Sequence, residues 1–75
     1  MPRYFFHVRD GEDRPDHEGT ELSNPDDARS QAVVVCGEML KDLDGKFWDG
    51  HEWQMEVKDW QGTIVCLLNV SGERY

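Results

Sequence analysis

One stretch of this 75-residue chain, Ser23 to Gly45 (SNPDDARSQAVVVCGEMLKDLDG), carries signals for both ends of a helix, and the remaining residues have to be arranged around it. Ser23 or Asn24 can accept a hydrogen bond from the first free N–H groups, and Pro25 suits the first turn, where its missing donor costs nothing. Asp26 and Asp27 place negative charge at the positive end of the helix dipole, and Gly45 offers the left-handed backbone that commonly stops a helix. Between these ends Ala28, Ala32, Val35, Cys36, Met39 and Leu43 recur at three-and-four spacing, which gathers them on one face. Val33 and Leu40 are expected to widen that stripe, while Val34 points outward. Gly37 in the interior costs up to about 1 kcal/mol relative to alanine, so it marks either a close approach or a tolerated surface position.

The flanking segments alternate with period two instead. In Arg3 to Arg9 (RYFFHVR), Tyr4, Phe6 and Val8 share one face and form natural partners for the helix stripe, with Phe5 and His7 on the other. Asp10-Gly11 signals a reversal. An acidic returning arm follows (Asp10, Glu12, Asp13, Asp16, Glu18, Glu21), with a short edge strand expected near Thr20 to Leu22 and Leu22 anchoring it beside the helix start. After the helix, Asp44-Gly45 and Asp49-Gly50 bracket Phe47 and Trp48, which are expected to fold back on the core. Trp53, Met55 and Val57 then alternate with Gln54, Glu56 and Lys58. Asp59 to Gly62 supplies a tight reversal into Thr63 to Val70 (TIVCLLNV), apolar on both faces. Arg3–Arg9 and Thr63–Val70 are therefore expected in the middle of the sheet, and the polar tail Ser71 to Tyr75 is expected to fray. The fold class that results is α+β in two layers: one amphipathic helix over about 24–44, packed on a three- to four-stranded antiparallel or mixed sheet in ββαββ order.

Composition narrows the range of functions. Seventy-five residues leave room for one domain and one modest core, and 37% hydrophobic content with three tryptophans is too apolar for a disordered chain despite 32% charge. A formal charge of −8 disfavours nucleic acid and anionic membranes as partners. No apolar run reaches the roughly 20 residues that span a bilayer, and MPRYFFHVRD lacks the features of a secretion signal, so the expected location is the cytoplasm. Two cysteines, Cys36 and Cys66, are too few for a disulfide scaffold or a cysteine zinc site and are expected as buried free thiols.

Candidate chemistry is sparse. His7, Asp16, His17 and Glu18 could meet if the acidic arm folds back along the first strand, and such oxygen and nitrogen ligands suit a first-row divalent metal. The arm does not follow the ligand spacing of an EF-hand loop. Cys36 and Cys66 sit in apolar settings that raise a thiol's pKa and lower its reactivity. His7, His17 and His51 could each move a proton, but no spacing orders a base, an orienting group and a nucleophile, so no catalytic residue is assigned and no cofactor is implied. Aromatic surface is the stronger lead. Phe5, Trp48, Trp60 and part of the last strand exceed what one helix covers, aromatics are enriched at interface hot spots, and a sheet face on which Phe5 and His7 join Val65 and Leu67 is the expected contact surface. The expected function is a small non-enzymatic protein-interaction module, self-associating or binding another protein through the sheet face or edge. The alternative is a small-ligand or divalent-metal protein using His7 and the Asp16-His17-Glu18 arm.

The opening PRYFFHVRDG, the segment Asp16, Gly19, Thr20, Glu21 and Leu22, Ala28 and Ala32 in the helix, and the Asp59 to Gly62 turn together resemble a family of short bacterial proteins of unknown function, abundant in rhizobia and related alphaproteobacteria. The resemblance implies a bacterial, cytoplasmic protein and brings no activity, cofactor or catalytic residue with it.

Overall fold

A computed structural model describes residues 2–48 and 52–75; Asp49-Gly50 and His51 lie outside the described residues. Five strands and one long helix follow in the order β1 (Arg3–Arg9), β2 (Asp13–Arg14), β3 (Thr20–Glu21), α1 (Pro25–Leu43), β4 (Trp53–Asp59) and β5 (Ile64–Val70), with a 3-10 turn, Asp44–Trp48, after the helix. All strand pairs are antiparallel, in the order β2-β1-β4-β5, and β3 pairs with the Arg3-Tyr4 end of β1 on the same side as β2. The fold is α+β, one helix on an open sheet.

Helix α1 begins as its sequence dictates. The Asn24 side chain accepts from Asp27 N–H at 2.8 Å, its carbonyl accepts from Ala28 N–H at 3.1 Å, and Pro25 is the first helical residue. Asn24→Ala should lower stability by about 1 kcal/mol, read as a drop in the thermal midpoint. The other end differs from expectation. Gly45 does not turn left-handed; the chain runs through it into the 3-10 turn, which uses i to i+3 bonds to satisfy the last helical carbonyls.

Ala28, Ala32 and Cys36 are buried on the sheet, with Val35, Met39, Leu40 and Leu43 packed beside them. They meet Tyr4, Phe6 and Val8 from β1 and Trp53, Met55 and Val57 from β4, which completes the core. Small residues at 28 and 32 let the helix backbone lie close over the large side chains beneath. Val33 does not widen the stripe as expected, being 64% exposed, and Val34 points outward as expected. Gly37 has nothing within 4 Å of where a Cβ would lie and is an open surface position.

Strand order is the main correction. β1 and β4 hold the middle positions, and β5, expected there for its two apolar faces, is an edge. Alternation in β4 matches a strand buried on one face in either position, so burial pattern alone did not distinguish centre from edge. The β4–β5 reversal is held by Asp59: its N–H donates to the Thr63 carbonyl at 2.9 Å, and its carboxylate accepts from the N–H groups of Gln61 and Thr63 at 2.9 Å each. Gly62 supplies the positive φ of 84° that this turn requires. The register then shifts by one between Val57 and Lys58, leaving Val65 as an extra residue in β5.

Phe47 folds back against the core, and Trp48 meets it edge-on while staying half exposed. The tail has no regular structure, but Gly72 lies so close to these two rings that a Cβ there would come within 2.8 Å of both.

Candidate functional site

The two long edges of the sheet are treated differently by the chain, and the candidate site follows from that difference. Along the outer side of β1, β2 pairs with Val8 and Arg9, and β3 pairs with Arg3 and Tyr4. The residues between, Phe5 to His7, face an irregular segment of the arm, where Asp16 replaces a strand. Its carboxylate accepts from Phe6 N–H at 3.1 Å, as a neighbouring strand's carbonyl would. The same carboxylate accepts from Glu18 N–H at 3.1 Å and Gly19 N–H at 3.0 Å, closing the arm's turn. Asp16 N–H in turn donates to Nδ1 of His7 at 3.1 Å, so the neutral ring carries its proton on Nε2. Partial burial pushes the Asp16 carboxyl up, but the N–H donors of Gly19, Phe6 and Glu18 outweigh it and hold the group below its ordinary value. The β1 edge is closed.

Arg3 finishes this closure, donating to the Glu18 carbonyl at 2.7 Å and pairing with Glu21 at 3.0 Å. Arg9 pairs with Asp13 and Arg14 with Asp10, so much of the arm's acidity is matched locally.

On the face away from α1, Phe5 stacks on His7 with ring centroids 6.5 Å apart. Gly19 lies against the Phe5 ring and both rings are half-buried, so this pair is partly covered by the arm. Leu67 lies on the same face, and the one-residue shift brings Ile64 there opposite Lys58 while Val65 packs against the core; the ion-paired Glu56 and Lys58, 3.2 Å apart, separate Ile64 and Leu67 from Phe5 and His7. Trp60 stands at the Asp59 turn, edge-on to Tyr4 at 6.2 Å, while Trp48 lies at the opposite end of the sheet beside Val70 and Gly72. The four aromatic or imidazole candidates therefore occupy three separate places.

Of the metal-ligand candidates, His7 and Asp16 do come together, but through the backbone bonds just described; His17 and Glu18 are exposed. Among the described residues no three His, Cys, Asp or Glu side chains are grouped so as to hold a metal ion. Burial pushes the thiols of Cys36 and Cys66 up, against a smaller opposing pull from the Arg29 charge at Cys66, and neither forms a disulfide. A shallow hollow between the Asp10–Arg14 turn and Leu43, Phe47 and Trp53 has no histidine or cysteine among its described lining residues. No helix among the described residues is long and apolar enough to cross a membrane.

The β5 edge stands in contrast. Among the described residues no strand pairs with its outer side, so a row of backbone N–H and C=O groups is open along Ile64 to Val70. Its sequence, IVCLLNV, has no charge and no proline, and Ile64 and Leu67 are 52% and 49% exposed. Natural sheets usually blunt such an edge with charge, proline or cover. This edge was missed in the sequence because a strand apolar on both faces reads as central.

A single helix on an open antiparallel sheet, with one edge sealed by an acidic arm and the other bare, defines a small α+β domain. The chain belongs to the domain of unknown function family DUF6894, whose pattern matches residues 3–71. Neither a curated protein nor a solved structure matches it.

Proposed function

We propose that this protein is a non-enzymatic interaction module that binds another polypeptide by strand addition at β5. The observation that carries the reading is the uncharged seven-residue edge with exposed Ile64 and Leu67, beside a sheet whose other edge is fully occupied. Backbone hydrogen bonds supply affinity in such binding, and alternate side chains supply specificity. The acidic arm's role is then structural, sealing β1 so that only one edge is open. A divalent-metal role for His7 and the Asp16-His17-Glu18 arm has less support, since the Asp16 oxygens already accept three backbone N–H groups.

The likeness of PRYFFHVRDG to short alphaproteobacterial proteins makes a lysate of such a bacterium the place to search. The test compares wild-type and Leu67→Lys chains as bait in a rhizobial lysate, with circular dichroism to confirm that both are folded. A polypeptide retained by wild type and lost with Leu67→Lys supports the reading. Identical capture by both baits overturns it.

A further inference from the structure

We infer that the strand added to β5 is β5 of a second copy, running antiparallel about a twofold axis near Leu67, so that two sheets become one and both helices lie on the same face. This rests on the interaction reading and names its partner. Three observations favour a second copy.

The first is the distribution of charge. The chain carries −8, and two such chains repel unless they meet where the charge is not. Asp10, Glu12, Asp13, Asp16, Glu18 and Glu21 all belong to the arm that closes the far edge, along β1. Contact at β5 keeps the two arms at opposite extremes of the joined sheet. The uncharged strand sets no like charges against each other.

The second is self-complementarity. Leu67 is the middle residue of β5, so a twofold axis there pairs Leu67 with its own copy and Cys66 with Leu68, whose side chains share a face on this side of the bulge. Each pair contains at least one apolar side chain, and the pair on the axis sets two half-exposed leucines side by side. The extra residue at Val65 lies off the axis in both copies.

The third is Val33. Helix positions 29, 33, 36 and 40 lie along one flank of α1. That flank faces β5, because the Arg29 charge reaches Cys66 and Leu40 lies beside Val70. Val33, 64% exposed, is therefore an uncovered apolar side chain on the flank that a second copy's helix would approach. Within one chain it has no such neighbour.

Sedimentation equilibrium of the intact chain from about 5 µM to about 1 mM should show the mass rising toward twice 8.7 kDa. Leu67→Lys, which sets two ammonium groups together on the axis, should weaken association at least about tenfold. The same change at exposed Val34, on the outer side of the helix, should leave it unaltered. With Cys36→Ala and Cys66→Val removing the native thiols, Leu67→Cys should oxidise to a covalent dimer. Ile64→Cys should not, since its own copy lies about 20 Å away along the antiparallel pair; equal cross-linking at both positions would overturn the antiparallel register. A mass of 8.7 kDa at every concentration would overturn the second copy. If Leu67→Lys still abolished capture from lysate in that case, the interaction module would stand with a different polypeptide as its partner.

Discussion

Gly19→Ala should lower the thermal midpoint by about 10–20 °C, a larger fall than its single added methyl group suggests. Two independent costs meet at this residue. Gly19 has φ of 73°, in the left-handed region that costs a residue with a Cβ roughly 1–2 kcal/mol. A Cβ there would also lie 2.8 Å from Cγ of Arg3 and 2.9 Å from Cε1 of Phe5. Neither neighbour yields freely: the Arg3 atom lies near the backbone of a side chain held by Glu18 and Glu21, and the Phe5 ring is stacked on His7. Moving them off their rotamers adds about 1 kcal/mol, for a total of about 2–3 kcal/mol. Gly37→Ala is the matched control, because open space surrounds it in a regular helix and alanine is favoured there by up to about 1 kcal/mol. Its midpoint should rise. A Gly19→Ala midpoint within about 3 °C of wild type would mean that the arm does not pack on Phe5.

What the sequence conveyed about the fold follows from how locally each signal acts. The start of α1 was legible because Asn24, Pro25 and the aspartates interact with backbone groups within one turn. The core faces of β1 and β4 were legible because alternation survives any strand order, and Asp59 to Gly62 was legible as a turn whose bonds all close within five residues. The failures lie where the outcome depends on distant neighbours. Gly45 was read as a helix stop from its type alone, yet a residue permitted to turn left-handed need not do so. Val33 sits close to the stripe on a helical wheel, but whether the sheet extends beneath it depends on where β5 ends. Edge and centre exchange roles in β4 and β5 for the same reason.

The candidate site was legible only in part. Phe5, His7 and Leu67 were correctly placed on the face away from the helix, but the bulge exchanges Val65 for Ile64 there, and a one-residue shift of this kind leaves no mark in the apolar pattern of TIVCLLNV. The sequence raises the arm's return along β1 only as a route to a metal site, with Asp16 as a ligand near His7; that its carboxylate takes a strand's place against Phe6 N–H was not legible. A useful signal was nonetheless present. Asp16 is followed three residues later by a glycine, and an Asx turn closing on a glycine is a specific arrangement within an otherwise undifferentiated acidic run. Comparing β1 with β5 would have shown the other half of the pattern: RYFFHVR carries basic residues, whereas IVCLLNV carries no charge at all.

Asp16→Ala should cost about 2 kcal/mol at neutral pH, because it removes the acceptor for three backbone donors at once. Water can reach the Glu18 and Gly19 N–H groups once the arm loosens, so the lasting loss is at Phe6, which lies within β1 between the pairing segments of β2 and β3. Amide exchange at Phe6 should accelerate more than at Tyr4 or Val8. Asp16→Asn keeps one oxygen acceptor and presents an amide donor to the remaining N–H groups, so it should lose a smaller share. The pH dependence separates charge from shape. The Asp16 carboxyl is held below its ordinary 3.8 in the folded protein, so the unfolded chain binds the proton more readily than the native one. Its contribution is therefore complete above about pH 4 and is lost as pH falls through the lower, folded pKa. Urea midpoints measured between about pH 7 and about pH 2 should converge for wild type and Asp16→Asn at the acid end and separate toward neutrality. A constant separation across that range would show that the carboxylate's charge contributes nothing and that only its shape holds the arm to β1.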